Sequence, residues 1–215
     1  MRQRIPEPYF LVAMNARKIA SAAIKKGAVQ KVSELSPLVR ILKRRKLRTV
    51  VEIGTQKGGT LYAWCRVAEP DAMVFSIDLP GGPFGGGYSL RDMKRFRTYK
   101  RKGQKLYFFR KDSHRKETKE ELMRRLKGRK IDFLFIDGDH RYRSVKKDWT
   151  LYAPLVKRNG LVVFHDILFH PKMPRCRVDR LWNEIKAQYK HREITDICDD
   201  RGWGQWGGIG VIYYR

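Results

Sequence analysis

Five short apolar runs alternate with helical segments along the chain, and this alternation restricts the fold more than any other feature of the sequence. The runs cover residues 49–54, 72–78, 105–112, 131–137 and 160–166 and are rich in β-branched and aromatic residues. Because they are apolar at successive positions, we expect parallel strands that are buried on both faces. The pattern predicts an α/β fold built on a doubly wound, mostly parallel sheet with right-handed crossovers.

The N-terminal part of the chain has helical periodicity before the first strand. We expect helices between residues 9 and 46, with Ser33 as the N-cap of the second and a basic cluster at its end. The length of 215 residues suits a single domain. We therefore assign residues 1–48 to a helical cap and residues 49–215 to the main part of the same domain.

The C-terminal part completes the predicted sheet. A helix is expected from Val178, followed by two further strands at 192–198 and 208–214 that form an antiparallel edge. The sheet then has seven strands. The glycine-rich segment 80–88 is interpreted as a mobile loop, because the alternation of strands and helices resumes directly after it.

The chain is strongly basic. Lysine and arginine number 48 against 22 aspartate and glutamate, for a formal net charge of +26, and an excess of this size attracts polyanions such as nucleic acid. The basic residues cluster at 43–48, 94–105 and 124–130, but few aromatics lie among them and no RNA-recognition, KH or zinc-finger spacing occurs. A solvated basic surface suited to the host environment is the competing interpretation.

Cysteine usage and hydropathy bear on the compartment. Cys65, Cys176 and Cys198 lie far apart and in no CxxC spacing, which favours a reducing compartment with all three as structural thiols. No apolar run reaches the length of a membrane span, and the N-terminus lacks the apolar region of a signal peptide. We expect a cytoplasmic protein without a membrane partner, and leave its oligomeric state, including a homo-oligomer, open.

The carboxyl end of the first predicted strand is rich in glycine. The strand contains Glu52 and runs into a turn with Gly54, Gly58 and Gly59. Glycines let backbone N–H groups approach a ligand closely, and the start of the next helix favours negative charge. Ligands of open α/β sheets bind at this edge, although the turn matches neither G-x-G-x-x-G nor a P-loop.

The next two strands end in polar residues. Asp78 follows the glycines by about twenty residues, the spacing of a carboxylate that accepts both hydroxyls of a ribose. Asp112 and Ser113 end the third strand and are suited to hydrogen-bond an adenine edge. Acidic residues at strand ends also cap helices, so each position alone stays open between the two roles, whereas the three in order favour a nucleoside ligand.

A family resemblance rests on the segments "VVEIGTQKGGT", "FSIDL", "KDS" and "IDFLFIDGDHRYRSVKKDWTLYAPLVKRNGLVVFHDI". Together they resemble class I S-adenosylmethionine-dependent methyltransferases, and more narrowly the group of cephalosporin hydroxylase-like proteins and metal-dependent sugar and macrolide O-methyltransferases. The resemblance covers roughly residues 33–214. It implies a Rossmann-like methyltransferase fold and methyl transfer from S-adenosylmethionine to a hydroxyl of a small or glycosylated substrate.

The resemblance also implies which residues bind the cofactor. Glu52, Gly54 and the following turn would contact the methionine part, Asp78 the ribose, and Asp112 with Ser113 the adenine. The full cofactor-binding set implied in this way is Glu52, Gly54, Thr55, Gly58, Gly59, Asp78, Asp112, Ser113 and Asp137.

The resemblance further implies a divalent cation bound by Asp137, His165 and Asp166. Two carboxylates and an imidazole suit Mg²⁺, Mn²⁺ or another first-row ion, which would lower the pKa of a substrate hydroxyl. Relatives usually carry Asp or Glu where this chain has His165, and the neutral ligand favours a softer ion. Asp139 matches the position of the general base and His140 is the alternative base; capping of the next helix is the competing role for both.

Two other function classes stay open at this stage. The charge makes RNA or another polyanion an alternative methyl acceptor, although no NPPY-type motif of base methylation occurs. A nucleotide-binding module without catalysis is the third interpretation. A dehydrogenase fits poorly, because G-x-G-x-x-G is absent.

Overall fold

The computed structural model describes residues 9–81, 86–198 and 201–215. Residues 1–8 of the predicted cap and 82–85 of the predicted loop lie outside these ranges. The helices are α1 (Tyr9–Lys25), α2 (Val32–Lys43), α3 (Gly59–Val67), α4 (Leu90–Arg97), α5 (Lys116–Leu126), α6 (Tyr142–Tyr152) and α7 (Val178–Ile185). Of the helices within the described ranges, none is both long and apolar enough to cross a membrane.

The strands form one seven-stranded sheet, as predicted. They are β1 (Thr49–Ile53), β2 (Met73–Asp78), β3 (Lys105–Arg110), β4 (Ile131–Ile136), β5 (Val156–His165), β6 (Lys190–Ile194) and β7 (Ile209–Tyr213). Their order is β3-β2-β1-β4-β5-β7-β6, and the first five are parallel whereas β7 is antiparallel to both β5 and β6. The predicted α/β fold and its antiparallel edge are confirmed.

The strand order reverses between β1 and β4, which lie side by side with Ile53 opposite Ile136. Both strands are buried along their whole length, which explains why their sequences are apolar at successive positions. The crevice beyond such a switch point is where open α/β sheets bind ligands. Residues that directly follow β1 and β4 are therefore the first candidates for a site.

Two apolar layers cover the sheet. On one face Trp64 of α3 packs against Phe133, in a cluster that also contains Ala20 of α1 and Leu38 of α2. On the other face helices α5 to α7 pack against the sheet, with Trp182 of α7 as the largest buried side chain. The N-terminal helices thus share a hydrophobic cluster with the sheet, while the boundary at residues 48/49 stays a prediction.

Three local predictions were wrong. The N-cap of α2 is Lys31, and Ser33 lies in the first turn, where its hydroxyl donates to the Asp196 carboxylate at 2.5 Å. The strand expected at 192–198 is instead Lys190–Ile194, because pairing with β7 fixes its register and the Asp196 N–H turns away to the Glu34 carboxylate. β5 begins at Val156 rather than at residue 160.

The cysteines differ in their surroundings. Cys65 is buried in α3 and Cys176 is buried in the loop before α7, whereas Cys198 is exposed. All three are free thiols. The expectation of three structural thiols therefore fits Cys65, but an exposed Cys198 has no packing role.

Candidate functional site

The turn after β1 brings the ends of three strands to a common edge. Gly54 donates its N–H to the Ile77 carbonyl oxygen at 3.0 Å, and Asp137 donates its N–H to the Ile53 carbonyl oxygen at 2.8 Å. Gly54 has a φ of +88°, and a Cβ there would lie 1.9 Å from the Asp137 carbonyl oxygen. Only glycine permits the two backbones to lie this close together. Gly54 therefore determines how closely the turn after β1 approaches the residue that follows β4.

The other two glycines of the turn are required by packing. A Cβ on Gly58, whose φ is +79°, would lie 2.3 Å from the Phe96 ring. A Cβ on Gly59 would lie 2.1 Å from the Ala28 backbone nitrogen. These contacts account for both glycines, and their predicted contact with a cofactor stays a prediction.

Glu52 is fully buried beneath this turn. Its carboxylate accepts a hydrogen bond from the Thr55 hydroxyl at 2.7 Å and another from the Trp64 indole N–H at 2.6 Å. Burial raises the pKa of Glu52 to about 7, although hydrogen bonds from protein donors partly oppose this. The carboxyl group can therefore change its protonation state near neutral pH.

The raised pKa of Glu52 gives a first prediction. The folded pKa of about 7 exceeds the unfolded value of 4.5, so the folded state holds the proton more tightly. The free energy of unfolding should fall by about 3 kcal/mol as the pH rises from about 4.5 to 7, and level off above. Glu52→Gln should remove this fall. Urea unfolding at pH 5 and pH 8 measures it, and parallel pH profiles for the two proteins would contradict the assignment.

Asp78, at the end of β2, connects this strand to the turn after β1 through hydrogen bonds. The carboxylate accepts the N–H groups of Thr55 at 2.8 Å and Gln56 at 2.7 Å, and that of Leu79 at 2.8 Å. Burial raises the pKa of Asp78. The side chain is half-buried at the carboxyl edge of the sheet, which is where a ribose-binding carboxylate is expected, and it also shapes the turn.

Asp112 and Ser113 are both engaged within the protein. Asp112 accepts the His114 N–H at 2.8 Å through its side chain and the Thr118 hydroxyl at 2.7 Å through its carbonyl oxygen, so it organises the start of α5. The Ser113 hydroxyl donates to the buried Asp148 carboxylate at 2.7 Å. Helix α5 has Arg115 as its N-cap and no side-chain cap among the described residues, so the predicted capping role is not observed here. An adenine contact through the Ser113 hydroxyl requires exchange of the Asp148 bond.

Two carboxylates and two imidazoles converge at the ends of β4 and β5. Asp137 Oδ1 lies 3.3 Å from His140 Nε2 and 3.3 Å from His165 Nδ1. Asp166 Oδ2 lies 3.2 Å from His140 Nδ1, and its Oδ1 lies 3.5 Å from His165 Nδ1. The Gln30 amide, from the segment before α2, donates to Asp137 Oδ2 at 2.7 Å.

Charge governs the protonation of this cluster. Burial alone would lower the pKa of His165, yet the Asp166 and Asp137 carboxylates raise that pKa well above its usual value. The pKa of His140 is raised in the same way. Burial alone would raise the pKa of Asp166, but the charge on His165 lowers that pKa. The side chains thus form a compact charge-balanced set.

The donor set fits a divalent cation. Ligand atoms of Asp137, His165 and Asp166 all lie within 4.8 Å of one another, and oxygen and imidazole ligands suit Mg²⁺, Mn²⁺ and softer first-row ions. Asp166 has a φ of +61°, a conformation that is uncommon for residues other than glycine and is often held at functional sites. The three residues predicted as metal ligands are therefore together in space.

Glu34 of α2 lies next to this set. Its Oε1 accepts the N–H groups of Asp196 and Gly208, both at 3.0 Å. Burial raises the pKa of Glu34, and the charge of His165 opposes that rise. Glu34 Oε2 and His165 Nε2 are both buried and have no hydrogen-bond partner within the described ranges. Carboxylates in such positions orient metal-binding imidazoles.

The two predicted bases are held differently. Asp139 accepts bonds from the Arg141 guanidinium and backbone N–H, and from the Ser144 hydroxyl at 2.9 Å. Burial opposes the effect, but the Arg141 bonds lower the pKa of Asp139 to about 2. These bonds shape the turn before α6, whose N-cap is Arg141 and which has no side-chain cap among the described residues, so the predicted capping role of Asp139 is not observed. Both ring nitrogens of His140 face carboxylates, so His140 belongs to the cluster of carboxylates and imidazoles.

Sequence reasoning missed several residues near the site. Gln30 and Glu34 come from the N-terminal helical region, and Cys176 comes from the loop after β5. A local signal could have found Cys176, because it follows the "FHDI" segment closely. Gln30 and Glu34 are separated from Asp137 by about a hundred residues, and only the packing of α2 against the sheet edge brings them there.

The fold and the site define a class of protein. A seven-stranded sheet of this order, with acidic residues at the carboxyl ends of its central strands, is the class I methyltransferase fold. A family profile described as "Methyltransferase domain" matches residues 51–167, more than half of the chain. The chain therefore belongs to the methyltransferase-domain family, and the predicted enzyme class, a methyltransferase, is confirmed.

Solved structures share the fold at low sequence identity. The O-methyltransferase from Bacillus cereus, in complex with S-adenosylhomocysteine, is 14% identical with a TM-score of 0.60, over 97% of this chain and 93% of that one. TomG from Streptomyces achromogenes, an O-methyltransferase in complex with S-adenosylmethionine, is 16% identical with a TM-score of 0.58, over 93% and 90%. An rRNA methylase from Streptococcus thermophilus is 7% identical with a TM-score of 0.57, over 88% and 100%.

Two curated relatives match only in part. Uncharacterized protein R132 of Acanthamoeba polyphaga mimivirus is 53% identical over 59 residues, which are 26% of this chain. Uncharacterized protein y4gI of Sinorhizobium fredii is 27% identical over 123 residues, which are 55% of this chain. The chain spans 27% and 13% of the lengths of these relatives.

Proposed function

We propose that the chain transfers a methyl group from S-adenosylmethionine to a hydroxyl of a small or glycosylated substrate, assisted by a divalent cation. The observation that carries this proposal is the convergence of Asp137, His165 and Asp166 beside the β1 turn. The backbone of Asp137 contacts Gly54 while its carboxylate belongs to the cluster, so the cofactor region and the cation site meet at one residue.

Each part of the site has a role in this proposal. S-adenosylmethionine supplies an electrophilic methyl group, and a bound divalent cation supplies Lewis-acid chemistry that lowers the pKa of a hydroxyl. Asp78 and the turn at Gly54 position the cofactor at the edge of the sheet. Gln30 holds the Asp137 carboxylate in place through its amide, which preorganises the ligand before the ion arrives.

In this arrangement a weak base removes the proton of the substrate hydroxyl. Asp139 is ionised down to about pH 2, because its pKa is lowered to about 2 by the Arg141 bonds. A weak base is sufficient where the substrate hydroxyl has been acidified, since proton transfer then needs little driving force. Asp139 is therefore the proposed proton acceptor. His140 has a different proposed role, as a metal ligand.

Exposed apolar side chains support a methyl acceptor that contains an apolar ring or a sugar ring. Phe169 and Met173 follow β5, Trp203 precedes β7, and each is more than a third exposed. The two loops are joined by the Gln205 amide, which donates to the Phe169 carbonyl oxygen at 3.2 Å. Aromatic faces beside a polar site suit sugar rings and aromatic alcohols.

The second prediction tests the cofactor. We expect S-adenosylhomocysteine to bind with micromolar affinity, and Asp78→Asn to weaken it roughly 5- to 150-fold, because a charged acceptor worth about 1–3 kcal/mol is lost. Asp71→Asn is the matched control, since Asp71 is an exposed acidic residue just before the same strand. Calorimetry on folded wild-type protein that detects no binding would end the proposal.

The acceptor class is tested by label transfer. Protein with methyl-labelled S-adenosylmethionine is incubated with a panel of glycosides and catechols or with total RNA, each with and without chelator. Label on the small hydroxyl compounds that disappears with chelator supports the proposal. Label on RNA that persists with chelator would replace it with the polyanion alternative that the net charge of +26 suggests.

A further inference from the structure

Cys176 is held against the cluster by the loop that contains it. The residue is 4% exposed, its N–H donates to the Met173 carbonyl oxygen at 2.8 Å, and the next N–H, of Arg177, donates to the His140 carbonyl oxygen at 2.8 Å. The Cys176 sulfur lies within 4.8 Å of a ring nitrogen of His140. The backbone bond between Arg177 and His140 therefore holds the loop so that a buried sulfur lies beside the His140 ring.

The sulfur completes a second donor set. Ligand atoms of His140, Asp166 and Cys176 lie within 4.8 Å of one another, and His140 Nδ1 lies 3.2 Å from Asp166 Oδ2. Nearby, His170 is 4% exposed and its Nδ1 has no hydrogen-bond partner in the described part of the chain. Imidazole, carboxylate and thiolate together are ligands of zinc and of other thiophilic first-row ions rather than of Mg²⁺.

The Asp166 carboxylate reaches both donor sets. Its Oδ1 lies 3.5 Å from His165 Nδ1 and its Oδ2 lies 3.2 Å from His140 Nδ1. One oxygen therefore faces the set with Asp137 and the other faces the set with Cys176. Carboxylates in this position bridge pairs of metal ions.

We propose that His140, Asp166 and Cys176 bind a thiophilic divalent ion, Zn²⁺ foremost, at a site that shares Asp166 with the cation site of the proposed function. This inference rests on the proposed function only because the two sites share the Asp166 carboxylate. The two donor sets then bind different ions, because a softer ligand set prefers a softer ion. The set that contains sulfur binds the softer ion, and the set that contains Asp137 binds the harder one. His140 is then a metal ligand and not the base that accepts the substrate proton.

The experiment uses Co²⁺ as the probe, because cobalt bound to a thiolate gives an intense near-ultraviolet charge-transfer band. Metal-free full-length protein is titrated with CoCl₂, and bound metal is counted by elemental analysis. We expect the band in wild-type protein and in Cys198→Ser, whose cysteine is exposed. Cys176→Ser should lose the band and one equivalent of bound cobalt, because a hydroxyl is a poor ligand for a soft ion.

A further variant separates this inference from the proposed function. Asp137→Asn changes the partner of His140 Nε2 but keeps all three ligands of the sulfur set, so it should keep the thiolate band while losing metal-dependent methyl transfer. Loss of transfer with the band intact leaves the sulfur site standing, whereas absence of the band in active wild-type protein overturns the sulfur site alone.

A chemical readout covers the case in which Cys176→Ser does not fold. In wild-type protein, Zn²⁺ should protect Cys176 from a thiol-alkylating reagent at least tenfold, while Cys198 reacts at the same rate with or without zinc. Peptide mapping measures both rates. Equal alkylation of Cys176 with and without zinc would overturn the proposal.

Discussion

Asp137→Ala should lower the rate of methyl transfer by roughly 10³-fold or more, since in the proposed function Lewis-acid activation by a cation would lower the barrier by several kcal/mol. The substitution removes a carboxylate that faces both His140 and His165. It leaves the backbone bond from residue 137 to the Ile53 carbonyl oxygen in place, so the fold should survive. Initial rates at saturating cofactor and metal, together with circular dichroism, measure the effect.

The matched control for this substitution lies at the other end of the same strand. Asp132 is buried at the start of β4, where its carboxylate accepts the N–H groups of Arg48 at 2.7 Å and Thr49 at 2.8 Å. Asp132→Asn should lower the free energy of unfolding but leave the turnover of folded enzyme unchanged. Full activity of Asp137→Ala, or full activity of the wild type in excess chelator, would remove the cation from the mechanism.

Gly54→Ala should destabilise the protein by about 2–5 kcal/mol or prevent folding. A residue other than glycine at φ +88° costs about 1–2 kcal/mol, and forcing a methyl group into a packed site adds about 1–3 kcal/mol. The methyl group would meet the Asp137 carbonyl oxygen at 1.9 Å, and retreat of either backbone breaks hydrogen bonds between the strand ends. Urea unfolding measures the change.

Gly128→Ala separates the two contributions. Gly128 also has a positive φ, +78°, but a Cβ there meets nothing within 4 Å among the described residues. It should cost only the conformational part, about 1–2 kcal/mol. A Gly54→Ala protein no less stable than Gly128→Ala would show that the close approach of the β1 turn to Asp137 is not required.

The sequence predicted the sheet because burial on two faces leaves a strong local pattern. Every residue of β1 and of β4 is buried, so each strand is mostly apolar at successive positions and stands out from the amphipathic helices beside it. The ends of elements were harder to predict. β6 is exposed at four of its five positions, so its sequence carries little pattern, and its bounds follow from pairing with β7.

Strand ends also explain which site residues could be predicted. Asp137, His165 and Asp166 lie where β4 and β5 end, and parallel neighbouring strands bring their carboxyl ends together. The role of Asp139 could not be decided in advance, because capping and catalysis need the same residue type at that place. The bonds from Arg141 and Ser144 hold Asp139 in the turn before α6 without capping that helix.

By itself the sequence determined the alternation of strands and helices and the common edge at which the acids gather, and its motifs carried the resemblance to the methyltransferase family. The alternation and the common edge follow from periodicity and chain order, which act over a few residues at a time. The tertiary structure alone decided that Gln30 and Glu34 border the cluster and that Cys176 lies beside His140. Such contacts depend on how helix α2 and the loop after β5 pack at the sheet edge, and packing between distant segments has no periodic signature in the chain.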